Sequence, residues 1–111
     1  MKVLDLSKLT PEKAAKELYD WCVTKASDIG QKPEIEVALW SPEEADQKGY
    51  GKAWMVCWEA GPHEWATRLS LGGSAFELGY AYRNPPEVIL TGAEKFCAEP
   101  YYSFNISFYN T

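Results

Sequence analysis

Histidine and arginine are nearly missing from this chain. His63 is the single histidine among 111 residues, and Arg68 and Arg83 are the only arginines. Zinc sites draw several ligands from histidine and cysteine at close spacing. One histidine beside three scattered cysteines (Cys22, Cys57 and Cys97) with no C-x-x-C pair offers no metal pattern. The same odd, widely spaced set is not a disulfide framework. It reads as reduced thiols in a cytoplasmic protein, behaving as small apolar side chains. Scarce arginine excludes a second class. A protein that binds nucleic acid directly, or an anionic membrane, neutralises phosphates with a basic patch, and none is offered here.

Long apolar runs are absent as well. The longest, residues 53–58, covers six positions, whereas a membrane-spanning helix needs about 20. The opening MKVLDLSKL puts Asp5 where a signal sequence must be apolar, and no small-residue cleavage site follows, so no secretory signal is expected. Without secretion, the glycosylation match at Asn105-Ile106-Ser107 carries no weight. Gly72-Gly73-Ser74 lacks both the spacing and the lysine of a phosphate cradle and reads as a turn. No cofactor motif remains.

What is present is core-forming material and acid. The chain is 46% hydrophobic and 14% aromatic, enough for one globular domain over residues 1–111 without disulfides or a structural metal. Acidic residues exceed basic ones by 16 to 11, a net charge of −5. The imbalance is local: residues 34–48 hold Glu34, Glu36, Glu43, Glu44 and Asp46 against the single base Lys48. A solvated face is the ordinary meaning of such a run, and attraction to a basic partner is the functional one.

The most legible element spans residues 10–30. Thr10 is a good N-cap, Pro11 suits the first helical position, and Leu9 with Ala14 can form a hydrophobic staple. Ala15, Leu18, Cys22, Ala26 and Ile29 recur at helical spacing, and Gly30 stops the run. After Pro33 the period becomes two: Ile35, Val37 and Leu39 on one side of a strand, Glu34, Glu36 and Ala38 on the other. Ser41-Pro42-Glu43-Glu44 is a capping box for a short helix ended by Gly49, with Glu44 and Lys48 spaced as an ion pair. Residues 52–59 read as a strand with no wet face: Trp54, Val56 and Trp58 on one side, Ala53, Met55 and Cys57 on the other. That pattern belongs mid-sheet, with cover on both sides.

Residues 65–71 suit either a short helix or a strand; the matching lengths of the flanking runs favour a strand pairing back on 52–59 as a hairpin. Phe76, Leu78, Tyr80 and Tyr82 alternate as a further strand, and Val88-Ile89-Leu90 is a short apolar run. Thr91-Gly92-Ala93-Glu94 has the form of a second capping box, with Pro100 closing its segment. Residues 101–109 place Tyr102, Phe104, Ile106 and Phe108 inward against Ser103, Asn105, Ser107 and Tyr109. One long helix followed by strands on short connections predicts an α+β fold. The expected form is the N-terminal helix across an antiparallel sheet of about five strands, with one or two helical turns in the connections.

Residues 54–65, WMVCWEAGPHEW, concentrate three of the five tryptophans with the lone histidine. A tryptophan-rich core seam is the structural reading. The functional alternative is a small-molecule or enzymatic pocket lined by Trp54, Trp58, Trp65 and Tyr80, with Glu59 and His63 as polar groups. Catalytic candidates are Glu59, His63 and Glu64, because a carboxylate beside an imidazole can exchange protons. A histidine at a loop tip is more often simply solvated, so the preferred reading is non-enzymatic. It is a small acidic protein docking on a macromolecule with a basic surface, as inhibitor, immunity or adaptor proteins do. Glu36, Glu43, Glu44 and Asp46 would steer, and Trp40 and Tyr50 would anchor. The oligomeric state is left open.

Overall fold

Thr10 begins the longest helix by turning its side chain onto the backbone: the Lys13 N–H donates to Thr10 Oγ1 at 3.2 Å. Pro11 follows at the first helical position, where its missing N–H costs nothing, and α1 runs Pro11–Asp28. Beyond it, the Gln31 N–H returns to the Ala26 carbonyl at 2.8 Å and satisfies an end group. Ala14, Ala15, Leu18, Cys22 and Ala26 are buried along one stripe, so the helix has the phase that its apolar spacing predicts. The computed structural model describes residues 2–28, 30–58, 69–71, 76–77, 88–92, 96, 99–100 and 105–109; Ile29 lies outside them.

The chain then forms α2 (Pro33–Glu36), β2 (Val37–Trp40), α3 (Pro42–Gln47) and β3 (Trp54–Trp58). An antiparallel sheet joins β2 to β3, β3 to β8 (Asn105–Phe108), and β8 to β7 (Glu99–Pro100). In β3 the two faces serve different layers. Val56 and the half-buried Trp54 pack with α1, Val37, Ile106 and Phe108; Met55 and Cys57 pack with Trp40 and with Ala45 of α3. An apolar-on-both-faces strand is thus central and covered on both sides, as its composition requires. The second sheet has the order β1 (Lys2–Asp5), β6 (Val88–Thr91), β4 (Leu69–Leu71), β5 (Phe76–Glu77), with β6 parallel to both β1 and β4. Leu4, Leu6 and Leu90 carry this sheet into the same core as α1.

The fold is therefore α+β, but among the described residues its strands divide between two sheets of four, one of them containing parallel pairs. Among the described residues the expected single antiparallel sheet of about five strands is not seen. Nor is the hairpin between 52–59 and 65–71. Both edges of β3 are taken by β2 and β8, and β4 pairs in the other sheet; residues 61–68 lie outside the described residues. The N-terminal strand β1 went unread, although Leu4 and Leu6 alternate with Asp5. Thr91 is the last residue of β6, and residues 93–95 of the expected capping box lie outside the described residues. The Thr91 hydroxyl donates across to the Leu4 carbonyl at 3.4 Å and to Asp5 Oδ1 at 3.5 Å. Pro100 is a strand residue opposite Ile106. Ser107, expected on a polar face, is fully buried, and its Oγ has no hydrogen-bond partner.

Candidate functional site

The acidic stretch is held by two short helical segments at opposite ends of β2. The first is set by Pro33 at the start of α2, where the amides of Ile35 and Glu36 both donate to the Lys32 carbonyl at 3.0 and 2.9 Å. This turn delays the strand to Val37 and overturns the placing of Ile35 with Val37 and Leu39. Ile35 is 65% exposed, the exposed large hydrophobic among the described residues. Glu34 beside it is exposed, whereas Glu36 is half-buried, its Oε2 enclosed without a hydrogen-bond partner.

The second segment is α3. The expected capping box is present: Glu44 N–H donates to Ser41 Oγ, and Ser41 N–H to Glu44 Oε1, each at 3.2 Å. Ala45 is the buried side chain of this helix, so Glu43, Glu44 and Asp46 face solvent. Glu44 turns back to its cap and does not pair with Lys48. Lys48 instead places Nζ 4.9 Å from the Trp40 ring centre, a cation–π contact of about 0.5–1 kcal/mol at an exposed site.

Trp40 differs from its expected role. It is only 7% exposed, packed with Ala45, Met55 and Cys57 and stacked on the half-buried Tyr50. An anchor must reach a partner, and Trp40 is instead a support for the α3 layer; Tyr50 keeps part of its ring at the surface. A further difference is spacing. Four strand residues at about 3.3 Å each put roughly 13 Å between the two acidic groups. That exceeds the screening length of about 8 Å at physiological salt, so Glu36 and the α3 carboxylates act as separate charge centres.

Of the alternative pocket, Trp54 and Trp58 fall within the described residues, both on β3. Trp54 leans on the main core beneath α1. Trp58 is placed by its backbone, opposite Val37. Glu59, His63, Glu64, Trp65 and Tyr80 lie outside the described residues. Cys57 is fully buried, and burial pushes the Cys22 thiol up to about 12. Among the described residues no three of His, Cys, Asp and Glu gather as metal ligands, and no helix is long and apolar enough to cross a membrane. Elsewhere, Asp5 is held below the ordinary carboxylate range by hydrogen bonds from the Ser7 side chain and backbone, with Thr91 and Lys8 adding to this.

Ile35 and the edge position of β2 are the features that the sequence reading missed. Pro33 was the available signal for Ile35, since a proline after a helix stop can begin a new turn as well as a strand. The chain matches no protein-family model, no curated protein and no solved structure.

Proposed function

We propose that this chain is a small acidic, cytoplasmic, non-enzymatic binding protein. It docks on a macromolecular partner with a basic surface, as inhibitor, immunity or adaptor proteins do. The observation that carries this reading is the outward set of Glu43, Glu44 and Asp46 on a helix that buries only Ala45. A helix built solely to cover the sheet would have little reason to concentrate one sign of charge on its wet side. Opposite charge on a partner would raise the encounter rate more than the final affinity. Tyr50 and Ile35 are the apolar groups available for contact near the two acidic centres, and Trp40 holds the α3 layer in place behind them. The buried thiols of Cys22 and Cys57 suit a reducing compartment. The comparison with inhibitor and immunity proteins is one of size and charge alone.

The test is capture of the partner from the native host, followed by association kinetics at several salt concentrations. The expected partner surface is basic, with an association rate that falls steeply as salt rises. A captured partner whose association is indifferent to salt would refute electrostatic docking.

A further inference from the structure

Among the described residues four strands end the two sheets, and three of them carry the usual protection of an edge. β1 contains Lys2 and Asp5, β5 contains Glu77, and β7 contains Glu99 and Pro100. Charges and proline on an edge strand discourage the pairing of another chain. β2 is the exception. Its sequence, Val-Ala-Leu-Trp, has neither charge nor proline, and among the described residues β3 is its one strand neighbour. In an antiparallel pair, alternate residues direct their N–H and C=O groups away from the partner strand. On β2 the Val37 N–H is already taken by the Pro33 carbonyl, which puts Val37 and Leu39 in the outward set; the Val37 carbonyl and both backbone groups of the half-buried Leu39 are the short template for a further strand.

The charges lie at the two ends of this edge. Glu34 and Glu36 immediately precede β2, and Glu43, Glu44 and Asp46 follow it on α3. We infer that β2 receives an extended segment of the partner as an added strand, one with an apolar, β-branched centre and lysine or arginine at both ends. Main-chain hydrogen bonds supply affinity in such pairing, and the flanking charges select the segment and its placement. This inference rests on the docking reading above and adds its mode and the chemistry of the bound segment.

A short peptide with an alternating valine/threonine centre and lysines at both ends is the probe. It is titrated at low salt into isotope-labelled protein while amide exchange is followed by NMR. The Leu39 amide is expected to gain protection, since the Val37 amide is already bonded to the Pro33 carbonyl. N-methylation of one alternate set of peptide amides should weaken binding about tenfold by removing main-chain hydrogen bonds, and methylation of the other set should leave it unchanged. Because these changes are made in the peptide, protein folding is untouched. Salt-dependent binding that leaves the Leu39 amide unprotected and tolerates both methylated forms would overturn the strand-addition inference and leave docking through the acids standing. If neither this peptide nor a helix-forming lysine-rich peptide binds at low salt, the docking reading fails as well.

Discussion

Trp40 and Tyr50 stack with ring centres 5.6 Å apart and planes 9° from parallel, joining the end of β2 to the loop that follows α3. The stack makes Trp40 part of a small second core with Ala45, Met55 and Cys57. Trp40→Ala should therefore cost about 3–5 kcal/mol of stability, the usual range for removing a buried aromatic. Tyr50→Ala should cost less, because that ring is only half-buried. Urea denaturation of both variants measures this. A Trp40→Ala protein as stable as the parent would mean that the α3 layer contributes little.

Gly92 and Gly49 both have positive φ, +77° and +86°, but their surroundings differ. A methyl group at Gly49 meets nothing within 4 Å, whereas at Gly92 it would sit 2.6 Å from the Ser7 Cα and 2.7 Å from its nitrogen. Gly49→Ala should carry only the left-handed backbone penalty of about 1–2 kcal/mol. At Gly92 the same penalty adds to an overpacking cost, for roughly 2–5 kcal/mol in all. Paired thermal or urea unfolding checks the ranking. Equal losses would show that the chain after β1 can move aside freely.

Local chemistry was legible in the sequence, and partner choice was not. Thr10, Pro11 and the spacing of Leu18, Cys22 and Ala26 define α1 within one stretch of chain, and the Ser41–Glu44 box defines α3 in the same way. The two-sided apolar character of β3 also correctly implied cover on both faces. Which strands flank it was beyond reach, since β8 arrives from the far end of the chain while β4, next in sequence, pairs elsewhere. Trp40 looked like a surface aromatic among acids because nothing nearby in sequence reveals that Met55 and Cys57 pack behind it. Ile35 fitted a strand period until Pro33 and the Lys32 carbonyl closed a turn around it. The edge of β2 depends on the whole sheet order and has no local signature.

Cys22 and Cys57 are both buried in the native protein, so each should resist a thiol reagent until the chain unfolds. Measured in a Cys97→Ser background, fast labelling of either would contradict its place in the core. Cys22 also has a consequence for pH. Burial raises its folded value from 9.0 to about 12, so between those limits the unfolded chain releases a proton that the native protein keeps. Stability falls as pH rises through that window, by up to about tenfold in the unfolding constant per unit. Cys22→Ala removes the group and should flatten the alkaline stability slope. An unchanged slope would mean that the thiol ionises as readily in the native state as in the unfolded one.

The carboxylates of α3 can be neutralised without dismantling the helix, which makes them a clean test of electrostatic docking. Glu43 and Asp46 are exposed, so their amides should fold normally. Glu44 is more delicate, because its Oε1 accepts the Ser41 N–H. Glutamine keeps an acceptor oxygen in the same place, and a capping box tolerates either residue. The triple variant Glu43→Gln, Glu44→Gln, Asp46→Asn should thus lose charge while retaining α3, with a stability change within about 1 kcal/mol. Against the captured partner, its association rate should fall and the salt dependence of that rate should flatten, with dissociation little altered. Ile35→Ala and Tyr50→Ala should do the reverse and speed dissociation, since they remove contact area and leave the charge unchanged. If the triple variant associates at the parent rate with the parent salt slope, the α3 carboxylates are only a solvated surface, and a partner must be recognised elsewhere on the molecule.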